Sequence, residues 1–192
     1  MINRTLEAER THLASLLEAI QRCVYFLEAS RRKQTWPLAP GDLEARRKEV
    51  PLFESLAAMN ERFAKLQDTL GAGMRHAALL AGEPGETFLK TLAFFEKVGV
   101  LDSVTDWQLC RATRNLAAHE YATDYAAITE HFNTLNNLAP GLYGNATRFL
   151  DYCREALHIL PLSADFASEF HAIGLQAISP QVSRPPKSVS SR

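Results

Sequence analysis

The sequence predicts an all-α protein, an antiparallel bundle of five to seven helices. Apolar residues recur at helical spacing along most of the chain, prolines and glycines punctuate it at intervals, and no segment shows a convincing strand pattern. With 192 residues, of which 46% are hydrophobic and 22% charged, the composition is that of one ordinary globular domain. That domain is assigned to 1–178. The remainder, 179–192, is rich in Ser, Pro and Arg and holds no acid, so it reads as a disordered tail.

The first element is the plainest. Leu6, Leu13, Leu17, Ile20, Val24 and Leu27 share one face, which gives an amphipathic helix over 5–32. Two prolines and a glycine between Gln34 and Gly41 make a connector. A second helical block runs from Asp42 to about Leu70, with Pro51 as a break or kink and Phe53, Leu56, Phe63, Leu66 and Leu70 inward. Gly71 and Gly73 punctuate it, with a short piece through Leu80 beyond. A third helix over 86–98 ends at Gly99, which can take the left-handed cap conformation. Ser103 and Asp106 have capping-box spacing and open a helix reaching about Tyr121. Thr123 or Asp124 caps the next, with Tyr125, Ile128, Phe132, Leu135 and Leu138 inward, and Pro140-Gly141 stops it. Helices over 142–157 and 163–175 complete the series.

Charge and cysteine usage exclude several classes. The net charge is −1, so there is no whole-protein basic field for nucleic acid, and such a site would have to be a local patch. The longest purely apolar run, Ala77 to Ala81, is far too short to span a bilayer, and the first residues lack a signal-peptide pattern. Cys23, Cys110 and Cys153 are widely spaced and odd in number, which suits unpaired thiols in a reducing compartment. The expectation is a cytoplasmic protein with no membrane partner. The histidines and cysteines have no metal-ligand spacing, so no metal and no cofactor is expected.

The segment from Trp107 to Tyr121 carries the chemistry. On a helical wheel Leu109, Ala112, Thr113, Leu116 and Ala117 gather on one side, small and mostly apolar. Arg111, Arg114, Asn115, His119 and Tyr121 spread over the other. A guanidinium holds phosphate oxygens in pairs and stabilises charge growing on them. An imidazole titrating near neutrality moves a proton to or from a ribose hydroxyl. An amide fixes the ring or the sugar, and RNA brings its own 2′-hydroxyl nucleophile. Arginine five before histidine is expected by chance about 0.5 times in this composition, whereas adding the asparagine and the tyrosine lowers that to about 4 × 10⁻⁴.

Arg114-Asn115-Leu116-Ala117-Ala118-His119-Glu120-Tyr121 resembles the R-x4-H-x-Y signature of HEPN-superfamily toxins of the HepT kind. Phe95 to Leu101 and Ser103 to Trp107 resemble the helix, turn and helix entry that precede it there. The resemblance implies a HEPN-like helical fold and a metal-independent endoribonuclease acting on an RNA substrate at a homodimer cleft. Arg114 and His119 would form the catalytic pair, with Asn115 as a polar helper and Arg111 binding substrate. It also implies a cognate nucleotidyltransferase antitoxin that silences the toxin by AMPylation of Tyr121.

Plainer readings stand beside these. Arg114 can be an ion-paired helix arginine, with Glu120 or Asp124 as its partner. Tyr121 can be a half-buried aromatic, and Trp107 reads as a core anchor rather than a base-stacking platform. Arg31-Arg32-Lys33 and Arg46-Arg47-Lys48 read as solvated faces rather than a basic rim for RNA. The same bundle would also serve as a catalytically inactive nucleotide- or nucleotidyltransferase-binding module, or as a structural dimerisation domain.

Overall fold

The computed structural model describes residues 2–83, 87–115 and 124–178. Among the described residues the chain is all-helical, with seven helices packed into a bundle: α1 (Ile2–Arg31), α2 (Pro40–Ala45), α3 (Val50–Leu80), α4 (Phe88–Lys97), α5 (Val104–Asn115), α6 (Tyr125–Ala156) and α7 (Ala167–Ile178). No helix among these residues is long and apolar enough to cross a membrane. The tail expected over 179–192 lies outside the described residues.

The core is built on α1 and α3. Leu13, Leu17, Ile20, Val24 and Leu27 of α1 are fully buried, as the spacing predicts, against Met59, Phe63, Leu66, Leu70 and Met74 of α3. Leu6 departs from that face and is 47% exposed. Phe95 of α4 and Phe149 of α6 meet edge to face at 5.6 Å in the same core. Leu43, Leu52 and Leu56 form a smaller cluster with Tyr125, Ile128 and Phe132 at the margin.

Three expected breaks are absent, each for a reason in packing. Pro51 sits in the first turn of α3, where its missing N–H costs nothing, so it starts the helix rather than kinking it. Gly71 and Gly73 lie inside α3. A Cβ on Gly73 would stand 2.9 Å from Phe149 Cε1, so this glycine lets α6 approach closely. Pro140 does not stop α6, which runs through it to Ala156. Ala139, Leu142, Ala146 and Phe149 on either side are buried, and burying them outweighs the roughly 3 kcal/mol an internal proline costs.

Local signals read correctly at the ends. Gly99 has φ +77°, and the Val100 N–H returns to the Phe95 carbonyl at 2.9 Å. Ser103 Oγ accepts the Asp106 N–H at 2.9 Å, while the Val104 N–H goes to Glu96 Oε1. Asp124 Oδ1 accepts from Ala126 and Ala127. All three cysteines are unpaired, and Cys110 and Cys153 are buried while Cys23 is half-buried. Burial, with Asp106 adding to it, pushes the Cys110 thiol up to about 11. Burial alone pushes Cys153 further still.

Candidate functional site

α5 lies against α3, α4 and α6, and its docking fixes which residues face outward. Trp107, Cys110 and Thr113 are its buried residues, at 3%, 6% and 5% exposure. Gln67 of α3 donates from Nε2 to the Trp107 carbonyl at 2.9 Å, which ties the start of α5 to the middle of α3. Trp107 is therefore a core anchor, as its sequence context suggests.

This docking corrects the expected wheel. Leu109 is 48% exposed and Ala112 is exposed, although the helical wheel places both on the inner side. A stripe of 107, 110 and 113 has the tighter fit because it brings the largest apolar residue, Trp107, onto the core. The rotation turns Arg114 toward α3 rather than straight to solvent.

Arg114 is 16% exposed in its side chain. Its Nη1 donates to Asp68 Oδ1 at 2.5 Å and to the Ala64 carbonyl at 3.1 Å. Arg114 thus pairs with Asp68 across the groove between α5 and α3; of the partners its sequence suggests, Asp124 makes no ion pair with it and Glu120 lies outside the described residues. Arg111, one turn earlier, is exposed and has no ion pair among the described residues. Both arginines line a cleft of about 120 Å³, together with Gln67, Asp68, Gly71 and Arg75 of α3, Phe88 of α4 and Trp107. Arg75 stacks its guanidinium over the Phe88 ring at 4.7 Å, and Phe88 meets Trp107 edge to face at 6.1 Å. Among the described residues the cleft wall thus carries three guanidiniums against one carboxylate, in a protein whose net charge is −1.

Gly71 gives the cleft its floor. A Cβ there would lie 3.2 Å from Phe88 Cζ and 3.4 Å from Trp107 Cζ2, so the two rings close down on bare backbone. Asn115 is the last residue of α5, and its side chain lies outside the described residues. His119 and Tyr121 also lie outside them, so Arg111 and Arg114 are the two expected site residues that the structure brings together.

Sequence reasoning missed Asp68, Arg75 and Phe88. The usable signal was on α3, where Asp68, Gly71 and Arg75 stand at i, i+3 and i+7 and so share a face.

The other basic clusters are engaged elsewhere. Arg31 and Arg32 both bond Glu28 at 2.7 Å, and Arg46 bonds Glu49 at 2.7 Å. A larger cleft of about 310 Å³ between Lys33 and Leu52 contains none of the motif residues. Among the described residues no group of three or more His, Cys, Asp or Glu is placed to hold a metal ion.

Comparison of the chain with protein-family models, with curated proteins and with solved structures gives no match.

Proposed function

We propose that the protein is a metal-independent endoribonuclease of the HEPN type, the toxin of a toxin–antitoxin pair with a nucleotidyltransferase. One observation supports this above the others: Arg114, the arginine of the R-x4-H-x-Y segment, stands at a cleft with Arg111 and Arg75 beside it. Two of the three arginines at this cleft, Arg111 and Arg114, lie on the helix whose sequence resembles the toxin signature, and the third, Arg75, faces them from α3.

In this reading a phosphodiester is held by the Arg114 guanidinium, which displaces Asp68 and stabilises charge on the phosphoryl oxygens. The 2′-oxygen bonds to the adjacent phosphorus as its proton leaves to His119. The bond from phosphorus to the 5′-oxygen breaks, and that oxygen takes a proton from water. A 2′,3′-cyclic phosphate and a free 5′-hydroxyl result. Asn115 steadies the ring or sugar. A second protomer presents the same segment across a shared groove, and AMP attached to Tyr121 by the antitoxin puts an anion beside Arg114 and blocks RNA.

The test is cleavage of single-stranded RNA in excess chelator by the wild type, Arg114→Ala and His119→Ala. Wild-type cleavage lost in both variants, with folded spectra retained, is the expected result. Equal cleavage by all three rejects the site. Intact mass after co-expression with an adjacent nucleotidyltransferase tests for AMP on Tyr121.

The tight Arg114–Asp68 pair favours a second reading, a catalytically silent module that binds nucleotide phosphate or a nucleotidyltransferase. Tight binding of RNA or ATP without cleavage by the wild type selects it.

A further inference from the structure

We propose that Arg75 and Arg111 form a second phosphate subsite, through which the cleft between α3, α4 and α5 holds the backbone of single-stranded RNA beyond the phosphate at Arg114. The proposal rests on the ribonuclease reading of Arg114 and adds residues to it that the motif does not contain.

Three observations carry it. Arg75 is exposed, yet its guanidinium is stacked on the Phe88 ring at 4.7 Å, so its position is set before any ligand arrives. An arginine held on an aromatic face keeps its N–H edge free for phosphate oxygens and loses little side-chain freedom on binding. Arg111 borders the same cleft, is exposed, and makes no ion pair among the described residues. Among the described residues Asp68 is the only carboxylate in the lining, and it is already bonded to Arg114.

Distance selects the ligand class. Asp68 and Arg75 are seven residues apart on one helix, about 10 Å of rise. With its guanidinium held on Phe88, Arg75 stays toward its own end of this span, and a chain of phosphodiesters serves both ends. The cleft, at about 120 Å³, is also well below the several hundred Å³ that encloses a small-molecule ligand. It accommodates the phosphate at Arg114 and part of a sugar, while the next phosphate lies on the open rim at the exposed Arg75 and Arg111. Trp107 is too deeply buried to stack a base, so contact is with the backbone and selects little by sequence.

The experiment measures fluorescence anisotropy of a labelled single-stranded RNA on the cleavage-silent His119→Ala protein at several salt concentrations. Arg75→Ala and Arg111→Ala in that background are each expected to weaken binding on every sequence tried and to lower the salt slope by about 1. Phe88→Leu keeps the apolar volume but removes the ring under Arg75, and it should weaken binding in the same direction. Arg47→Ala, an exposed arginine away from the cleft, should change neither. Binding unaffected by Arg75→Ala and Arg111→Ala, or weakened equally by Arg47→Ala, overturns the subsite. The two readings fail separately. Wild-type cleavage with binding indifferent to Arg75 rejects the subsite alone, and Arg75-dependent binding with no wild-type cleavage rejects the nuclease alone.

Discussion

Arg114 and Asp68, 46 residues apart in sequence, meet at 2.5 Å between α5 and α3. The pair is lopsided: the arginine is 16% exposed and the aspartate 64%. Water screens such a pair through its exposed partner, so it does little for stability and much for the charge of the cleft.

Asp68→Ala is therefore expected to cost under about 1 kcal/mol in urea unfolding. The same substitution removes the only acid that the described residues contribute to the cleft lining and should tighten RNA binding in the anisotropy assay. Weaker binding would mean that Asp68 positions Arg114 rather than competing for it.

Two glycines inside helices should respond with opposite signs. Gly73→Ala drives a Cβ against Phe149, which is fully buried, and overpacking of this kind costs about 1–3 kcal/mol. Gly141 has nothing within 4 Å, so Gly141→Ala gains helix propensity, about 0.5–1 kcal/mol. Chemical denaturation midpoints moving in the same direction would contradict the packing of α6 on α3.

Glu28 sets an acid limit on stability. Burial pushes its carboxyl up, but hydrogen bonds from Arg31 and Arg32 outweigh this and hold it below its ordinary 4.5. A carboxyl lowered on folding adds stability that is complete above 4.5 and is lost as pH falls through the folded value. Glu28→Gln should lower stability at neutral pH by on the order of 1–2 kcal/mol and flatten the decline below pH 4.5. A decline unchanged in slope would place the acid sensitivity elsewhere.

His131 acts at a higher pH. Burial alone lowers its imidazole below 6.5, so the unfolded chain binds the extra proton first. Its contribution is complete above pH 6.5 and declines as pH drops from there. His131→Gln preserves a partner for Asn60, which the ring contacts at 3.2 Å, and should remove the decline that begins near pH 6.5. Unfolding midpoints followed from pH 7.5 to 5 give the answer.

What the sequence disclosed and what it hid divide along one line, local against tertiary. Gly99, Ser103 and Asp124 mark helix ends through bonds within a few residues, and each reads correctly. Gly71, Gly73 and Pro140 carry the same punctuation signals, but their neighbours Phe88, Phe149 and Leu142 arrive from distant sequence or from sustained burial and override them. The phase of α5 was misjudged because a wheel weighs Leu109 and Ala112 by polarity, whereas packing selects by the size and reach of Trp107. The cleft was legible only in part. Arg111 and Arg114 share a helix, but Asp68, Arg75 and Phe88 reach them from α3 and α4, and no spacing within one segment encodes that meeting.

The three thiols provide a graded record of how the bundle opens. Alkylating reagents attack the thiolate, and burial holds Cys110 and Cys153 protonated, so each reacts only when its helix lifts away. Cys110 labelling times the release of α5, and with it the Arg114 cleft. Cys153, in the core on α6, waits for the whole bundle, while the half-buried Cys23, beside Thr69 of α3, reports the separation of α1 from α3.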